Sequence, residues 1–165
     1  MFTLTSSAFT YGGRMPDKYT IDGAHISPPL KWSGAPSSST KSFALTMLDL
    51  DVPPAYGGFF LHWAVYNISA NIYEFKEGSL PKGAKWIPNT YATYGNRALG
   101  CYGPPWPVDK SHRYEFTLYA LNKEDLGLPK DAVYDQLKSA IKASAIGSAK
   151  LIGVFGPAKT PLPKG

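Results

Sequence analysis

The sequence predicts a mainly β fold, a β-sandwich with one small helix near its C-terminal end. Three observations point to it. Eleven Tyr, eight Phe and four Trp are present, and aromatic side chains pack well on a pleated surface. Three segments alternate with a period of two. The only helical pattern comes late, after the strands, as in a sandwich with an appendage rather than alternating strand and helix units.

The first alternating segment is Ser42–Asp51, which places Phe43, Leu45, Met47, Asp49 and Asp51 on one face. The second is Phe60–Ile68. Strict alternation there sets Phe60, His62, Ala64 and Tyr66 on a face opposite Leu61, Trp63 and Val65. Both faces are apolar, so this strand belongs in the interior between two covered layers. The third is His112–Leu121, with His112, Tyr114, Phe116, Leu118 and Ala120 aligned.

The helix is expected from Asp131 as N-cap, with Val133, Leu137, Ile141 and Ala145 as its apolar stripe and Gly147 ending it. Lys150–Phe155 then reads as the last strand. Between Asn71 and Tyr102 the run is broken by Gly78, Pro81, Gly83, Pro88 and Gly95 and reads mostly as loop.

The 165 residues suit one domain, taken as residues 1–157, with 158–165 as a loose C-terminal tail. Apolar residues at 44% against 18% charged exclude a disordered chain. The net charge of +5 is scattered rather than clustered, which argues against nucleic acid as partner. A single cysteine, Cys101, excludes an internal disulfide framework and a cysteine-rich zinc site. No signal-peptide pattern opens the chain and no stretch is long enough to span a membrane, so the expectation is a cytoplasmic protein without membrane insertion.

Polar groups sit at the ends of otherwise apolar strand faces: Asp49 and Asp51, His62, and His112 with Tyr114. A buried polar group left without a hydrogen bond costs about 1–3 kcal/mol, so one shared site is more economical than several isolated ones. The segment Gly100–Pro107 precedes His112, and its Gly103 would let a backbone N–H approach a ligand closely. Imidazole, phenol and backbone N–H together describe an anion cradle.

Asp22-Gly23 with Ser27–Trp32, Asp49-Leu50-Asp51-Val52-Pro53, His62–Ile68, and Tyr102–Pro105 followed by His112–Phe116 form a further pattern. Together these segments resemble the phosphatidylethanolamine-binding (Raf-kinase-inhibitor-like) family in its bacterial and archaeal branch. The elements occur in order over roughly residues 20–155. The resemblance implies a two-sheet antiparallel sandwich with a small pocket for phosphate-like or carboxylate groups. It implies a ligand site of Asp49, Asp51, His62, Gly103, Pro104, Trp106, His112 and Tyr114, in which His62 and Tyr114 donate to ligand oxygens. Two residues depart from the family pattern. Leu50 replaces a proline and should loosen the backbone beside Asp49, and Trp106 brings a large indole to the pocket rim.

Each residue also has a structural reading. His62 alone reads first as a satisfied core histidine, and Asp49 and Asp51 also as strand-ending residues before Pro53-Pro54. No H-x-x-x-H spacing supports a metal, and no G-x-S-x-G elbow supports a serine hydrolase. The expected function is therefore a binding module for a small phosphate- or carboxylate-bearing ligand, with no cofactor, no metal and no catalytic residue. The alternatives are a protease inhibitor or kinase regulator acting through the pocket rim, and a His/Asp acid–base enzyme. Trp106 also leaves a homodimer open.

Overall fold

The computed structural model describes residues 1–163. Two antiparallel sheets form a sandwich. The smaller has the strand order β1 (Thr3–Thr5), β2 (Leu30–Ser33), β5 (Glu74–Phe75). The larger has the order β6 (Lys85–Trp86), β4 (Leu61–Ser69), β3 (Ser42–Asp49), β7 (His112–Leu121), β8 (Ala145–Phe155). A one-turn helix α1 (Thr90–Thr93) precedes β7, and α2 (Tyr134–Ser144) leads into β8. No helix among the described residues is long and apolar enough to cross a membrane.

The core lies on both faces of the large sheet. Between the sheets, Trp32 and Phe75 pack edge-on, and Trp32 does the same against Phe43. Phe43, Leu45 and Met47 of β3 join Phe116 and Leu118 of β7 there. On the other face Ala44, Ala64, Tyr66 and Leu121 are covered by Leu137 and Ile141 of α2. The doubly apolar pattern of β4 thus reflects two covered layers, as expected of an interior strand.

Strict alternation fails in β4 at two bulges. Met47 pairs with Trp63 but Leu48 with Leu61, which leaves His62 as the extra residue. Leu61 therefore joins Ala64 and Tyr66 on the α2 side, while Trp63 and Val65 face the other sheet. A second shift lies between the pairs Phe43–Ile68 and Leu45–Val65, where Asn67 takes a φ of 54°. The expected shared face of His62, Ala64 and Tyr66 is corrected accordingly.

The helix is also corrected. It begins at Tyr134, with Val133 as N-cap, its N–H donating to Gln136 Oε1 at 2.9 Å. Asp131 lies in the preceding turn, where Ala132 N–H bonds the Pro129 carbonyl. Leu137 and Ile141 are buried as expected, but Val133 is exposed. The chain passes directly from Ser144 into β8, so Gly147 sits opposite Ala120 in a strand rather than ending a helix. The last strand is consequently longer than Lys150–Phe155. The segment read as loop contains β5, β6 and α1, each too short to leave a periodic signal.

The tail expected to be loose is held as far as Thr160. Asp22 accepts from the backbone N–H groups of Lys159 and Thr160 and from the Thr160 hydroxyl. The Thr160 carbonyl in turn accepts from Trp106 Nε1 at 2.9 Å. The last two residues of the expected tail, 164 and 165, lie outside the described residues.

Candidate functional site

The register of β3 against β7 builds the site. Phe43, Leu45, Met47 and Asp49 lie opposite Ala120, Leu118, Phe116 and Tyr114 in one unbroken ladder. Their shared face is core for most of its length and ends in Asp49, Tyr114 and His112. The bulge in β4 turns His62 onto the same face, and its ring meets that of Tyr114 edge-on at 5.1 Å. A cavity of about 580 Å³ opens there, within the size range of small-ligand sites.

Of the expected residues, Asp49, His62, His112 and Trp106 line this cavity. The other four have different places. Asp51 forms a two-pronged ion pair with Arg113 (2.8 and 3.0 Å) on the outer side, where the guanidinium holds its carboxyl down at about 2. Gly103 N–H donates to the His62 carbonyl at 2.8 Å, so it is not available to a ligand. The Pro104 carbonyl accepts from Tyr91 Oη at 2.7 Å. Tyr114 is fully buried beneath the floor, and its hydroxyl has no hydrogen-bond partner among the described residues. Burial and the Asp49 charge raise its pKa, keeping the phenol protonated.

His62 differs from expectation in its chemistry. Its Nδ1 lies 2.8 Å from the Gly103 carbonyl and must donate to it. Burial pushes its pKa down to about 4, so the ring is neutral near pH 7. Nε2 then carries a lone pair. His62 presents an acceptor, not the donor that the resemblance implied, unless a ligand protonates it.

His112 sits between two carboxylates. Nδ1 is 2.7 Å from Asp49 Oδ2, and Nε2 is 2.8 Å from Asp109 Oδ1. An imidazole donates from both nitrogens only as the imidazolium; otherwise one carboxyl carries the second proton. Burial raises Asp49, against the opposing hydrogen bond from His112. Asp109 is lowered: its own desolvation works against this, but the His112 hydrogen bond and neighbouring backbone donors prevail. The chain of three groups keeps one excess negative charge. Among the described residues lining the cavity there is no lysine or arginine.

The walls are aromatic. Phe60 packs against His62 (4.6 Å between centroids) and edge-on to Tyr91 (4.7 Å), and Tyr91 approaches Trp106 at 6.4 Å. Leu50 does not loosen the Asp49 strand end, because its N–H donates to the Arg113 carbonyl at 2.9 Å, a bond proline could not make.

Sequence reasoning missed Asn89, Tyr91 and Asp109. Asn89 is fully buried, and its amide nitrogen reaches the carbonyls of His62, Leu99 and Cys101 while Oδ1 caps α1 through Ala92 N–H. It ties β4 to the loop carrying Gly103. The Pro88-Asn89-Thr90 sequence does contain an N-cap signal, hidden by the breakers around it. Asp109 had a weaker signal, its place three residues before His112.

The sandwich, with its pocket at the end of the inter-sheet core, defines the class of fold. It is similar to a solved structure from Chlamydia trachomatis described as a phosphatidylethanolamine-binding protein homologue. That likeness has TM-score 0.84 and 37% identity, covering 95% of this chain and 98% of that one. E. coli YbcL, described as a member of the mammalian PEBP family, matches with TM-score 0.78 and 29% identity, covering 95% of this chain and 99% of that one. A UPF0098 protein of Chlamydia muridarum is 39% identical over 156 residues, covering 92% of this chain and 97% of the relative. The family model described as phosphatidylethanolamine-binding protein matches residues 5–156, and the chain belongs to that family.

Proposed function

We propose that this protein is a binding module for a small, weakly charged anionic group, a phosphate or carboxylate borne by a ligand whose remainder contacts the aromatic walls. One observation carries the reading: His112 Nε2 already holds a carboxylate oxygen, that of Asp109, at 2.8 Å inside the cavity. The geometry for an oxyanion therefore exists at that nitrogen. Asp49 fixes the ring from behind, as carboxylates do for functional histidines. With at most one imidazolium as its positive charge, the pocket suits a ligand of low charge.

An NMR titration of the full chain with phosphate, phosphoethanolamine and acetate tests it. Saturable shifts at the His62 and His112 side chains are expected for at least one ligand, and their loss in His112→Ala. Equal binding by the folded variant would sink the reading.

A second reading, inhibition or regulation of a protein partner through the rim, is favoured by the exposure of Tyr56, Tyr94, Val108 and Leu162 around the cavity mouth. Aromatic residues are enriched at interfaces. Titration against a serine-protease panel separates the two, since inhibition that survives His112→Ala belongs to the rim.

A further inference from the structure

The position on His112 that the reading above gives to a ligand is already filled from within. Resting on that reading, we propose that Asp109 sets the affinity threshold of the pocket: an internal carboxylate that an incoming anion must displace.

The two carboxylates on the His112 ring are not equivalent. Asp49 belongs to β3, its side chain is 7% exposed, and it also accepts the Asp51 backbone N–H at 2.8 Å. It is built into the sheet. Asp109 belongs to the irregular segment between Pro107 and Ser111, and its side chain is 41% exposed. Its one side-chain partner among the described residues is His112 Nε2, beside the backbone N–H groups of Asp109 and Lys110 in its own loop. Rotation of that one side chain toward solvent frees an N–H on the cavity wall and leaves the rest of the site in place.

Charge favours exchange over addition. With Asp109 on the ring, both imidazole nitrogens are engaged and the three groups carry net negative charge. A second anion would meet repulsion and no free donor. With Asp109 turned away, an imidazolium paired to Asp49 is neutral overall and presents one donor. His62 Nε2, Phe60 and Tyr91 stand around the same space.

The tether sets a threshold. A free carboxylate offers His112 the same group as Asp109 but lacks the effective concentration of a side chain held in the site. Acetate should therefore lose the competition. Phosphate has additional oxygens, and a protonated one can donate to His62 Nε2 while another accepts from His112. Displacing Asp109 costs every anion the same factor, so it decides which ligands bind measurably, while the preference for phosphate over simple carboxylates comes from the added contact to His62.

The test measures binding of inorganic phosphate and of acetate to the full chain, as parent and as Asp109→Ala, with thermal melting to check the fold. If Asp109 occupies the ring about nine-tenths of the time, its removal tightens phosphate binding about tenfold. Acetate should go from undetectable to measurable. Phosphate-soaked crystals of the parent should show a phosphate oxygen on His112 Nε2 with Asp109 turned away, which a mere loss of negative charge would not require. If the parent binds phosphate but Asp109→Ala changes neither affinity, or Asp109 stays on His112 with phosphate bound beside it, displacement is wrong and the anion-site reading survives. If neither form binds phosphate, that reading falls and this inference falls with it.

Discussion

His62 and Gly103 hold each other through two hydrogen bonds of 2.8 Å, imidazole Nδ1 to the Gly103 carbonyl and Gly103 N–H to the His62 carbonyl. The pair fixes the ring tautomer and joins β4 to the loop that follows α1. Gly103 is there for space. A Cβ at this position would lie 2.7 Å from both Asn89 Nδ2 and the Tyr91 ring.

Gly103→Ala should therefore destabilise the fold by about 1–3 kcal/mol, the usual cost of overpacking. A urea midpoint measures this, and the His62 Nε2 resonance reports the loosened ring. An unchanged midpoint would mean that Asn89 and Tyr91 shift freely.

Asn89→Ala removes the amide that serves three carbonyls and the cap of α1. The His62 carbonyl keeps its bond from Gly103 N–H, but the loss at Leu99, Cys101 and Ala92 should cost about 3 kcal/mol. If the buried amide matters to the pocket, the variant also weakens ligand binding where it remains folded. Hydrogen exchange at Gly100 and Gly103 separates a local loosening from global unfolding.

His62 makes stability depend on pH. Its pKa of about 4 in the fold lies below the ordinary 6.5, so the unfolded chain takes up the proton first. Its contribution is complete above pH 6.5 and is lost as pH falls from 6.5 towards 4, to a total of about 3 kcal/mol. Urea unfolding of the parent and of His62→Gln at pH 7 and pH 4.5 isolates this part. Equal losses in both would assign the acid sensitivity to other groups.

Asp51 pairs with Arg113 outside the cavity, and exposed charges are screened by salt. Asp51→Asn should leave phosphate affinity within about twofold of the parent at physiological ionic strength, where the Debye length is about 8 Å. A larger loss would return Asp51 to the binding site.

Asp22 clasps the chain at Lys159 and Thr160, and Thr160 holds the Trp106 indole. Asp22→Ala should free the tail to proteolysis and shift Trp106 emission to the red. Resistance equal to the parent's would show that the remaining contacts suffice.

Much of the fold could be read from the chain because the long strands are periodic. β7 runs from His112 to Leu121 as alternation predicts, and β3 and β4 differ from expectation by a residue or two at their ends. Strands of two to four residues carry too few side chains to show a period, so β1, β2, β5 and β6 went unread. The helix start was misplaced because Asp131 offers a better cap side chain than Val133, yet a turn from Pro129 intervenes.

The sequence by itself determined the class of fold and the interior place of β4, since alternation and burial are local in the chain, while Asp49, His62 and His112 were grouped by the family resemblance. Tertiary structure alone decided what these groups present to a ligand. A bulge turned His62 across the sheet, a carbonyl from residue 103 set its tautomer, and Asp109 took the free nitrogen of His112. Each of these depends on hydrogen-bond direction between distant or irregular segments, which no side-chain period records.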